Sequence, residues 1–363
     1  MKKIEKQTHN TKKRLEMFSS ENEDDNMLPD SLRKKRERSS LSYKNETKTF
    51  RKNEYKIKET TVHGRVIYSK GKSWFVQSEI SSNTVVRCTV AGTVRSQNSD
   101  STLIAVGDRV GYVCNTDGKE TAKIVFVDER KTKLSRRGIG KSSSEQVIVS
   151  NTEQLLIVMS AAEPFYNRRL IDRYLIAAEK GELTPIICIN KTELMTERFV
   201  KDDMKVYQSL GVKVHLVSAK NKKGLRALEL SLHGKITVFS GPSGVGKSTI
   251  ANSLLGVDHQ EVGEISERTW KGRHITTGAR MFALPKGGFI ADTPGLRELG
   301  LWDVSRQETQ YYFHEFDDYF PDCKYSLCLH RNEPECAVIA ALKRGEIDAE
   351  RYQSYCNIID SIE

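Results

Sequence analysis

The sequence predicts a multidomain protein in which an N-terminal β-barrel of the OB type is followed by a doubly wound α/β domain and then by a small helical domain. Three features of the chain predict this order. Residues 60–135 carry short β-rich segments, residues 148–305 alternate apolar runs with helical patterns, and residues 306–363 contain three closely spaced cysteines. At 363 residues the chain is long enough for two or three separate cores.

The chain begins with a basic, polar segment. Residues 1–58 hold 17 Lys and Arg against 10 Asp and Glu, an excess of 7 that accounts for most of the formal net charge of +10. With few aromatic residues and no hydrophobic period, this segment cannot bury enough apolar surface to offset the entropy of ordering, and we expect a disordered tail. A basic excess favours polyanionic partners, nucleic acid first among them, although charge that only keeps a tail solvated gives the same pattern.

Composition also limits where the protein acts. No stretch approaches the roughly 18–20 consecutive apolar residues that span a bilayer, and the N-terminus lacks the apolar core of a signal peptide. Seven cysteines, an odd number, argue against a disulfide framework. We therefore expect a cytoplasmic protein that has no membrane partner. We also expect a monomer.

Residues 60–135 have the pattern of a small barrel. About five short strands are separated by Gly-Lys, Gly-Asp and Asp-Gly turn signals. Their length fits an OB-fold, although strand periodicity alone does not separate an OB-fold from an SH3-like barrel. One face combines cations with aromatic rings on which bases can stack, which indicates RNA binding. The candidate residues on this face are Arg65, Lys70, Lys72, Trp74, Phe75 and Arg87.

After a basic connector that contains Ser and Gly, near-continuous apolar runs appear. They lie at residues 154–160, 184–190, 212–219, 235–241 and 288–295. Such runs are typical of parallel strands that are buried on both faces. Helical patterns between the runs, such as the one that ends before Gly181, predict a doubly wound α/β domain. In domains of this kind ligands bind beyond the C-terminal ends of the strands.

One of these strand ends carries a phosphate loop. The segment GPSGVGKST satisfies G-x-x-x-x-G-K-[ST], follows an apolar run and opens a helical pattern. Its glycines let backbone N–H groups point at phosphate oxygens, aided by the positive end of the helix. In this arrangement Lys247 reaches the β- and γ-phosphates and Ser248 is a ligand of Mg²⁺. The predicted nucleotide-binding residues of this loop are Gly241, Pro242, Ser243, Gly244, Val245, Gly246, Lys247, Ser248 and Thr249.

Two further segments are predicted to contact the γ-phosphate and Mg²⁺. The sequence DTPG ends another apolar run, so that Asp292 can hold Mg²⁺ through water and the Gly295 amide can sense the γ-phosphate. Between this segment and the phosphate loop lies RHITTG, in which Thr276 or Thr277 completes the Mg²⁺ shell.

A guanine-reading loop is predicted at INKTEL, where Asn190, Lys191 and Glu193 fit N-K-x-D except for one extra methylene. The carboxylate of this motif accepts hydrogen bonds from guanine donors that adenine lacks, and an unmatched base leaves a buried polar group unpaired. The segment VSAK adds a loop that packs on the base. The predicted base-contacting residues are Asn190, Lys191, Thr192, Glu193, Ser218, Ala219 and Lys220.

The order of these loops is unusual, because the base-reading loop precedes the phosphate loop. A circular permutation explains it, since the same sheet and the same site survive a change in chain order. The permutation also places the γ-phosphate segment directly before the C-terminal domain, which can therefore respond to the nucleotide state.

The C-terminal domain contains a predicted metal site. Cys323, Cys328, His330 and Cys336 have C-x₄-C-x-H-x₅-C spacing. Three thiolates and one imidazole form a closed tetrahedral set, which predicts one structural zinc ion per chain and no open position for catalysis.

Taken as a set, these motifs resemble the circularly permuted GTPases of small-ribosomal-subunit assembly, the RsgA type, over roughly residues 60–363. The resemblance implies a GTP hydrolase that acts late in maturation of the 30S subunit, is stimulated by that subunit and is released after hydrolysis. It also implies that the barrel and the zinc domain bind ribosomal RNA. Two positions depart from the family pattern: Glu193 replaces the usual Asp, and Ile275 interrupts a stretch that is usually rich in Thr.

The catalytic step lacks its usual residue. In many GTPases a Gln after D-x-x-G orients the attacking water, but here Leu296 follows Gly295. His274, beside Thr276, is the candidate, and the resemblance implies a water-positioning role for it. We expect slow hydrolysis by the free protein and strong stimulation by the small subunit.

Two alternatives to an assembly GTPase remain open at this stage. One is an RNA-binding assembly placeholder whose nucleotide is a structural lock, an interpretation favoured by Leu296 and Glu193. The other is an ATP-using kinase or transport ATPase, since the phosphate loop is shared among these classes.

Overall fold

The computed structural model describes most of the chain beyond residue 60. The described residues are 61–81, 84–92, 94, 101–114, 121–137, 145–256, 279–293 and 304–362. They contain thirteen strands and eight α-helices. The predictions that lie outside the described residues are those for the tail (1–58) and for His274, Thr276, Thr277 and Gly295.

The first five strands close into a barrel. They pair in the order β1-β2-β3-β5-β4 and then back to β1; only β3 and β5 run parallel, and the other pairs are antiparallel. This is the arrangement of a five-stranded OB-type barrel, and the predicted fold is confirmed. The strands are β1 (Val62–Lys70), β2 (Ser73–Ser78), β3 (Val85–Val90), β4 (Arg109–Val113) and β5 (Ala122–Val127).

The outer face of the barrel carries most of the side chains predicted to bind RNA. Lys70, Lys72 and Arg87 are exposed, whereas Phe75 is half-buried and stacks on Tyr68 with ring centroids 4.1 Å apart. Arg65 differs from the prediction. Its guanidinium is partly buried and donates to the backbone carbonyl oxygen of Gly107 at 3.0 Å, so it stabilises the barrel.

Two strands that the sequence analysis did not predict occupy the connector. β6 (Lys133–Arg137) and β7 (Glu145–Ser150) pair antiparallel as a separate two-stranded sheet. Leu134 and Val149 are fully buried, and isolated bridges join β7 to residues 101 and 106. The basic and small residues of the connector concealed this short alternation of buried and exposed positions.

The central sheet is mostly parallel. Its order is β10-β9-β8-β11-β13-β12; β10, β9, β8, β11 and β13 run parallel, and β12 is antiparallel to β13. The C-terminal ends of the five parallel strands therefore meet at one edge of the sheet. The strands are β8 (Gln154–Ser160), β9 (Thr184–Asn190), β10 (Lys213–Leu216), β11 (Ile236–Ser240), β12 (Arg280–Ala283) and β13 (Phe289–Asp292).

The barrel is continuous with this sheet through β12. Tyr68 of β1 pairs with Arg280 of β12, and the Arg280 guanidinium lies 4.8 Å from the centroid of the Tyr68 ring. The antiparallel strand β12 was not predicted.

Five helices accompany the central sheet. They are α1 (Arg168–Lys180), α2 (Glu197–Asp203), α3 (Lys205–Ser209), α4 (Leu225–Leu232) and α5 (Lys247–Leu255). The side chain of Asn167 caps α1 by accepting from the Leu170 amide at 3.3 Å, and the helix ends before Gly181. These are the start and stop signals expected of a helix in this position.

The C-terminal residues form a compact helical domain with its own apolar core. Phe313, Phe316 and Tyr355 pack edge to face or stacked at its centre. The elements are α6 (Arg306–Thr309), three short 3₁₀ turns at Gln310–Tyr312, His314–Phe316 and Phe320–Asp322, α7 (Ala337–Lys343) and α8 (Ala349–Asp360). No helix among the described residues has the length and apolar character that a bilayer span requires.

Buried ion pairs fasten this domain to α1. Arg351 of α8 is 2% exposed; it donates to Asp172 of α1 and to both carboxylate oxygens of Glu315, at 2.7 and 3.0 Å. Its guanidinium lies 4.4 Å from the centroid of the Phe313 ring. The Tyr207 hydroxyl donates to the same Asp172 oxygen at 3.0 Å. The two domains therefore share charged groups that are removed from water.

His314 makes a second charged contact across this interface. Its Nε2 lies 3.0 Å from Glu179 of α1, and its Nδ1 lies 3.3 Å from Asp317. Burial alone lowers the pKa of the imidazole, but hydrogen bonds to Asp317 and Glu179 outweigh burial and raise the pKa to about 10. His314 is thus a cation at neutral pH.

Replacing His314 with glutamine is expected to remove a pH-dependent part of the stability. The pKa of His314 is raised from 6.5 to about 10 in the folded state, which adds on the order of 2–4 kcal/mol to the free energy of unfolding. This contribution is fully present below pH 6.5 and is lost as the pH rises through about 10. The free energy of unfolding of His314→Gln should lie below that of the wild type at pH 6 and approach it at pH 10. Denaturant titrations at both pH values check this, with exposed His233→Gln as control. An equal deficit at both pH values would contradict it.

Candidate nucleotide site and metal centre

The predicted nucleotide-binding segments lie at one edge of the central sheet. INKTEL begins with the last two residues of β9, VSAK follows β10, the phosphate loop follows β11, and Asp292 ends β13. Because these strands are parallel, all four segments begin at the same end of the sheet. The change in chain order therefore leaves the spatial site intact.

Asn190 joins three of these segments. It is 3% exposed at the end of β9. Its Nδ2 donates to the carbonyl oxygen of Val245 in the phosphate loop at 2.9 Å, and its Oδ1 accepts from the Ala219 amide at 3.1 Å. A Cβ on Gly246 would lie 2.3 Å from Asn190 Nδ2, so this glycine permits the close approach. The base-reading loop and the phosphate loop are thus in direct contact.

Lys191 shapes the base-reading loop. It adopts a left-handed backbone conformation with φ of 58° and precedes the 3₁₀ turn Thr192–Leu194. Its Nζ donates to the carbonyl oxygen of Glu163, and the Thr192 amide donates to the Val217 carbonyl oxygen at 3.3 Å. Glu193 lies in this turn with its side chain exposed. The carboxylate is therefore open to a ligand at the edge of the site.

The VSAK loop, predicted to pack on the base, is stabilised by a hydrogen bond within the loop. Ser218 and Ala219 are buried and Lys220 is exposed. The Ser218 hydroxyl accepts from the Asn221 amide at 3.2 Å, which closes a tight turn. The buried part of the loop fixes its position, and Lys220 is left facing outward.

The phosphate loop has the glycine conformations that its motif requires. Gly241 has φ of 141°, and a Cβ there would lie 2.0 Å from the Val158 carbonyl oxygen. Gly244 and Gly246 have φ of 81° and 91°, and α5 begins directly after Gly246. Val245 is buried, Pro242, Ser248 and Thr249 are half-buried, and Ser243 and Gly244 are exposed. The amides of the first turn of α5 therefore open toward the loop.

Lys247 lies across this loop. Its Nζ donates to the carbonyl oxygens of Gly241 at 2.8 Å and Pro242 at 2.6 Å. The ammonium thus lies inside the curve of the phosphate loop. It also interacts electrostatically with Asp292 at the end of β13.

Asp292 has a perturbed acidity. Burial raises the pKa of its carboxyl to about 6, and the Lys247 ammonium and the Thr293 amide oppose this rise. A partly buried carboxylate beside a phosphate loop favours binding of a cation, because a cation stabilises the charged form.

Sequence reasoning missed the segment that follows β8. The Glu163 carbonyl receives Lys191, and Pro164, which follows a cis peptide bond, lies 3.7 Å from the Cβ position of Gly244. The position of this segment at the end of a parallel strand was the available signal. It supports both the base-reading loop and the phosphate loop.

A second cluster lies in the C-terminal domain. The ligand atoms of Cys323, Cys328, His330 and Cys336 all lie within 4.8 Å of one another. His330 Nδ1 is 3.5 Å from Cys323 Sγ and 3.4 Å from Cys336 Sγ, and these two sulfurs are 3.8 Å apart. This cluster can hold a metal ion.

Gln310 orients the imidazole of this cluster, a role that the sequence did not indicate. Its Nε2 donates to the Gln307 carbonyl, which leaves its Oε1 to accept from His330 Nε2 at 2.8 Å. The unprotonated Nδ1 then faces the three sulfurs. Burial lowers the pKa of His330 to about 4, so the imidazole is neutral. The Tyr352 hydroxyl fixes the same residue by donating to its carbonyl oxygen at 2.7 Å.

These features define the class of protein. A phosphate loop, a base-reading loop that contacts it and an acidic strand end, all in permuted chain order, are those of a circularly permuted GTPase. A family model described as RsgA GTPase matches residues 127–302. Curated relatives that are 35–43% identical over most of this chain show that the chain belongs to the RsgA GTPase family and is a GTP-hydrolysing enzyme.

Curated relatives match over most of their length. The Small ribosomal subunit biogenesis GTPase RsgA of Chlorobaculum tepidum is 43% identical over 309 residues, which cover 83% of this chain and 98% of the relative. The protein of the same name from Klebsiella pneumoniae strain 342 is 35% identical over 84% of this chain and 85% of the relative.

Solved structures agree with the fold. YjeQ from Thermotoga maritima aligns with a TM-score of 0.66 at 31% identity, covering 83% of this chain and 98% of that chain. YloQ, described as a circularly permuted GTPase, aligns with a TM-score of 0.62 at 28% identity, covering 84% of this chain and 96% of that chain.

Proposed function

We propose that this protein is a late assembly factor of the 30S small ribosomal subunit that hydrolyses GTP on the immature particle and leaves it after hydrolysis. The observation that carries the proposal is the Asn190 bridge, which brings the base-reading loop and the phosphate loop into one site. The names of the relatives, small ribosomal subunit biogenesis GTPases, supply the ribosomal context. The protein acts in the cytoplasm as a monomer.

Within this proposal the edge of the sheet binds Mg²⁺ and guanine nucleotide. Lys247 contacts the β- and γ-phosphates, and Ser248 and Asp292 face the Mg²⁺ ion. Glu193 pairs with guanine. Further base contacts come from Asn190, Lys191, Thr192, Ser218, Ala219 and Lys220, and the amides of residues 241–249 surround the phosphates. His274 positions the attacking water, Thr276 or Thr277 completes the Mg²⁺ shell, and the Gly295 amide senses the γ-phosphate.

RNA binding is assigned to the barrel. The exposed cations Lys70, Lys72 and Arg87 lie at the end of β1, in the turn before β2 and on β3. These elements flank β2, which carries Trp74 and Phe75, and Arg87 pairs with Phe75 in the sheet register. This arrangement suits contact with both phosphates and bases. We assign residues 60–135 to this RNA-binding domain, 148–305 to the GTPase domain and 306–363 to the zinc domain.

Zinc is the ion that the Cys3His cluster fits. Tetrahedral coordination with Zn–S near 2.3 Å and Zn–N near 2.0–2.1 Å places two sulfurs about 3.8 Å apart and sulfur and nitrogen about 3.5–3.6 Å apart. In the structure the sulfurs of Cys323 and Cys336 are 3.8 Å apart, and His330 Nδ1 lies 3.5 and 3.4 Å from them. Four protein ligands complete the shell, so bound zinc stabilises the C-terminal domain and performs no chemistry there.

Loss of the metal is expected to unfold the C-terminal domain. The variant Cys336→Ser should bind less than about half an equivalent of zinc and expose residues 304–362 to protease, because metal binding supplies folding free energy on the order of 10 kcal/mol in small zinc domains. Cys356→Ser is the matched control, since Cys356 is a buried cysteine of the same core outside the cluster. It should retain one zinc per chain by elemental analysis. Full zinc content in Cys336→Ser would contradict the assignment.

The experiment that tests the function measures GTP and ATP turnover with and without purified 30S particles. Slow GTP turnover that rises at least about tenfold with 30S particles, and negligible ATP turnover, are expected. Lys247→Ala should abolish the stimulated rate. If saturating 30S particles leave bound GTP intact over many binding cycles, the protein is an RNA-binding placeholder and the proposal fails.

A further inference from the structure

One face of the joined sheet carries a line of paired residues that runs from the barrel to the nucleotide site. Arg87 of β3 pairs with Phe75 of β2, and Phe75 pairs with Tyr68 of β1. Tyr68 pairs with Arg280 of β12, and Arg280 pairs with Asp292 of β13. Direct partners in neighbouring antiparallel strands project to the same face of a sheet. We call Arg87, Phe75, Tyr68 and Arg280 the cross-strand row.

A β-bulge brings Tyr68 into the cross-strand row. The register between β1 and β2 shifts between Val66 and Tyr68. Val66 is fully buried in the core, and so is its partner Val76. Without the extra residue Tyr68 would point inward like Val66, because side chains two positions apart share a face. The bulge turns the Tyr68 ring to the other face, where it is half-buried.

The side chains of the cross-strand row contact one another. The rings of Phe75 and Tyr68 stack with their centroids 4.1 Å apart and an angle of 10° between their planes. The Arg280 guanidinium lies 4.8 Å from the centroid of the Tyr68 ring and 5.2 Å from that of Phe282. Stacking uses the faces of a guanidinium and leaves the N–H groups in its plane to bind a phosphate. Among the described residues Arg280 forms no ion pair, so these donors remain available to an anion.

Cations flank the two rings. Arg87 is exposed at the β3 end of the cross-strand row, Arg280 is half-buried at the β12 end, and the exposed Lys70 lies two residues after Tyr68. Three strand spacings of about 4.8 Å separate the two arginines, so the row spans about 14 Å. A strip that combines positive charge with aromatic rings is complementary to the phosphates and bases of a single-stranded nucleic acid.

We propose that single-stranded RNA bound to the barrel continues along the cross-strand row onto the GTPase domain, where Arg280 contacts one of its phosphates. The proposal rests on the barrel being the RNA-binding domain of the proposed function. It adds an RNA contact outside residues 60–135. Because Arg280 pairs with Asp292, this contact lies one strand away from the carboxylate that is assigned to Mg²⁺.

The test compares Arg280→Gln with the wild type in the full-length, zinc-loaded protein. Fluorescence anisotropy measures binding of a labelled oligoadenylate of about 16 nucleotides, the upper end of OB-fold site sizes. The slope of log K against log salt should become shallower by about 0.7, the value for one lost phosphate contact on a single strand. The affinity at low salt should fall about 3–10-fold. If Arg280 only joins the domains by stacking, the slope keeps its wild-type value, and the proposal is overturned.

Two further variants control for charge and for position. Arg280→Lys keeps the cation but loses the planar stacking, and it should retain the wild-type slope. Arg198→Gln removes an arginine that is 91% exposed on α2, which lies between β9 and β10 in the chain, at the other edge of the central sheet from β12. It should leave the affinity and the slope unchanged.

If Arg280→Gln does not fold, labelling of the wild type with phenylglyoxal replaces it. Bound oligoadenylate should suppress the labelling of Arg280, read by mass spectrometry of its peptide, because a phosphate then covers the guanidinium. Equal labelling of Arg280 with and without RNA overturns the proposal.

Arg87→Gln separates this inference from the assignment of the barrel. A shallower slope in both Arg87→Gln and Arg280→Gln supports the cross-strand row. If only Arg87→Gln has a shallower slope, the barrel binds RNA and the extension onto β12 falls. If neither variant changes the slope, the barrel assignment in the proposed function is wrong, and the extension falls with it. If Arg280→Gln alone changes it, the RNA does not follow the row from the barrel, which also overturns the proposal.

Discussion

Replacing Asp292 with asparagine is expected to lower GTP hydrolysis at least about 100-fold while making the nucleotide-free protein more stable at pH 8. Asp292 ends β13, and burial raises the pKa of its carboxyl to about 6 against the opposing effects of Lys247 and the Thr293 amide. A carboxylate in that position is unfavourable for the free protein and favourable once a cation binds. Activity and stability therefore conflict at this residue.

The stability gain has a defined pH window. The pKa of Asp292 is 3.8 when unperturbed and about 6 in the folded state, so the folded protein binds this proton more tightly and loses stability as the carboxyl ionises between these values. Asparagine avoids that loss, which is on the order of 1–2 kcal/mol after allowance for partial exposure.

Unfolding free energies without nucleotide at pH 4 and pH 8, with GTP turnover at pH 8, test this prediction. Asp292→Asn should match the wild type at pH 4 and exceed it at pH 8. The control Asp202→Asn, on the exposed side of α2, should have the same unfolding free energy as the wild type at pH 4 and at pH 8. A variant that is less stable than the wild type at pH 8, or that hydrolyses GTP normally, would show that Asp292 is a structural carboxylate.

The strands that carry the site were predictable because they are buried on both faces. β8 and β9 coincide residue for residue with the apolar runs at 154–160 and 184–190. In these strands every interior position is apolar, so the ends are visible as the first polar residues: Gln154 and Ser160 in β8, and Thr184 and Asn190 in β9. Those ends are also where the motifs lie, which is why the site followed from the sequence together with the fold.

Strands with one covered face were harder to find. β6, β7 and β12 are four to six residues long, and each begins with a charged residue: Lys133, Glu145 and Arg280. A pattern that short does not stand out from a loop. The link between β1 and β12 rests on one residue pair, Tyr68 with Arg280. A pairing of that kind depends on the docked domains and leaves no local trace in the sequence.

Within the site, the motifs predicted which loops meet but not the atoms that join them. Asn190 was predicted to contact the guanine base, and the structure adds its hydrogen bonds to Val245 and Ala219. The contact of Lys191 with a backbone carbonyl has no sequence signature, because every residue has a carbonyl.

Arg351→Met is expected to destabilise the docked protein by about 3–5 kcal/mol, because it leaves Asp172 buried without a cation. Burial raises the pKa of Asp172, and Arg351 provides the largest opposing effect. Without the guanidinium the carboxyl protonates at a higher pH in the folded state. The deficit should therefore be large at pH 7 and shrink as the pH falls toward 4.

Hydrogen exchange of the amides in α1 and α8 measures this loss where the two domains meet. Arg344→Met is the control, since that guanidinium pairs only with Glu346 among the described residues and is exposed; it should leave both helices protected. Removing both charges in Arg351→Met/Asp172→Asn should recover at least half of the lost protection, because no buried charge then remains unpaired on α1. If the double variant is as unprotected as Arg351→Met, the interface depends on the contacts of Arg351 with Glu315 and Phe313 and not on its pair with Asp172.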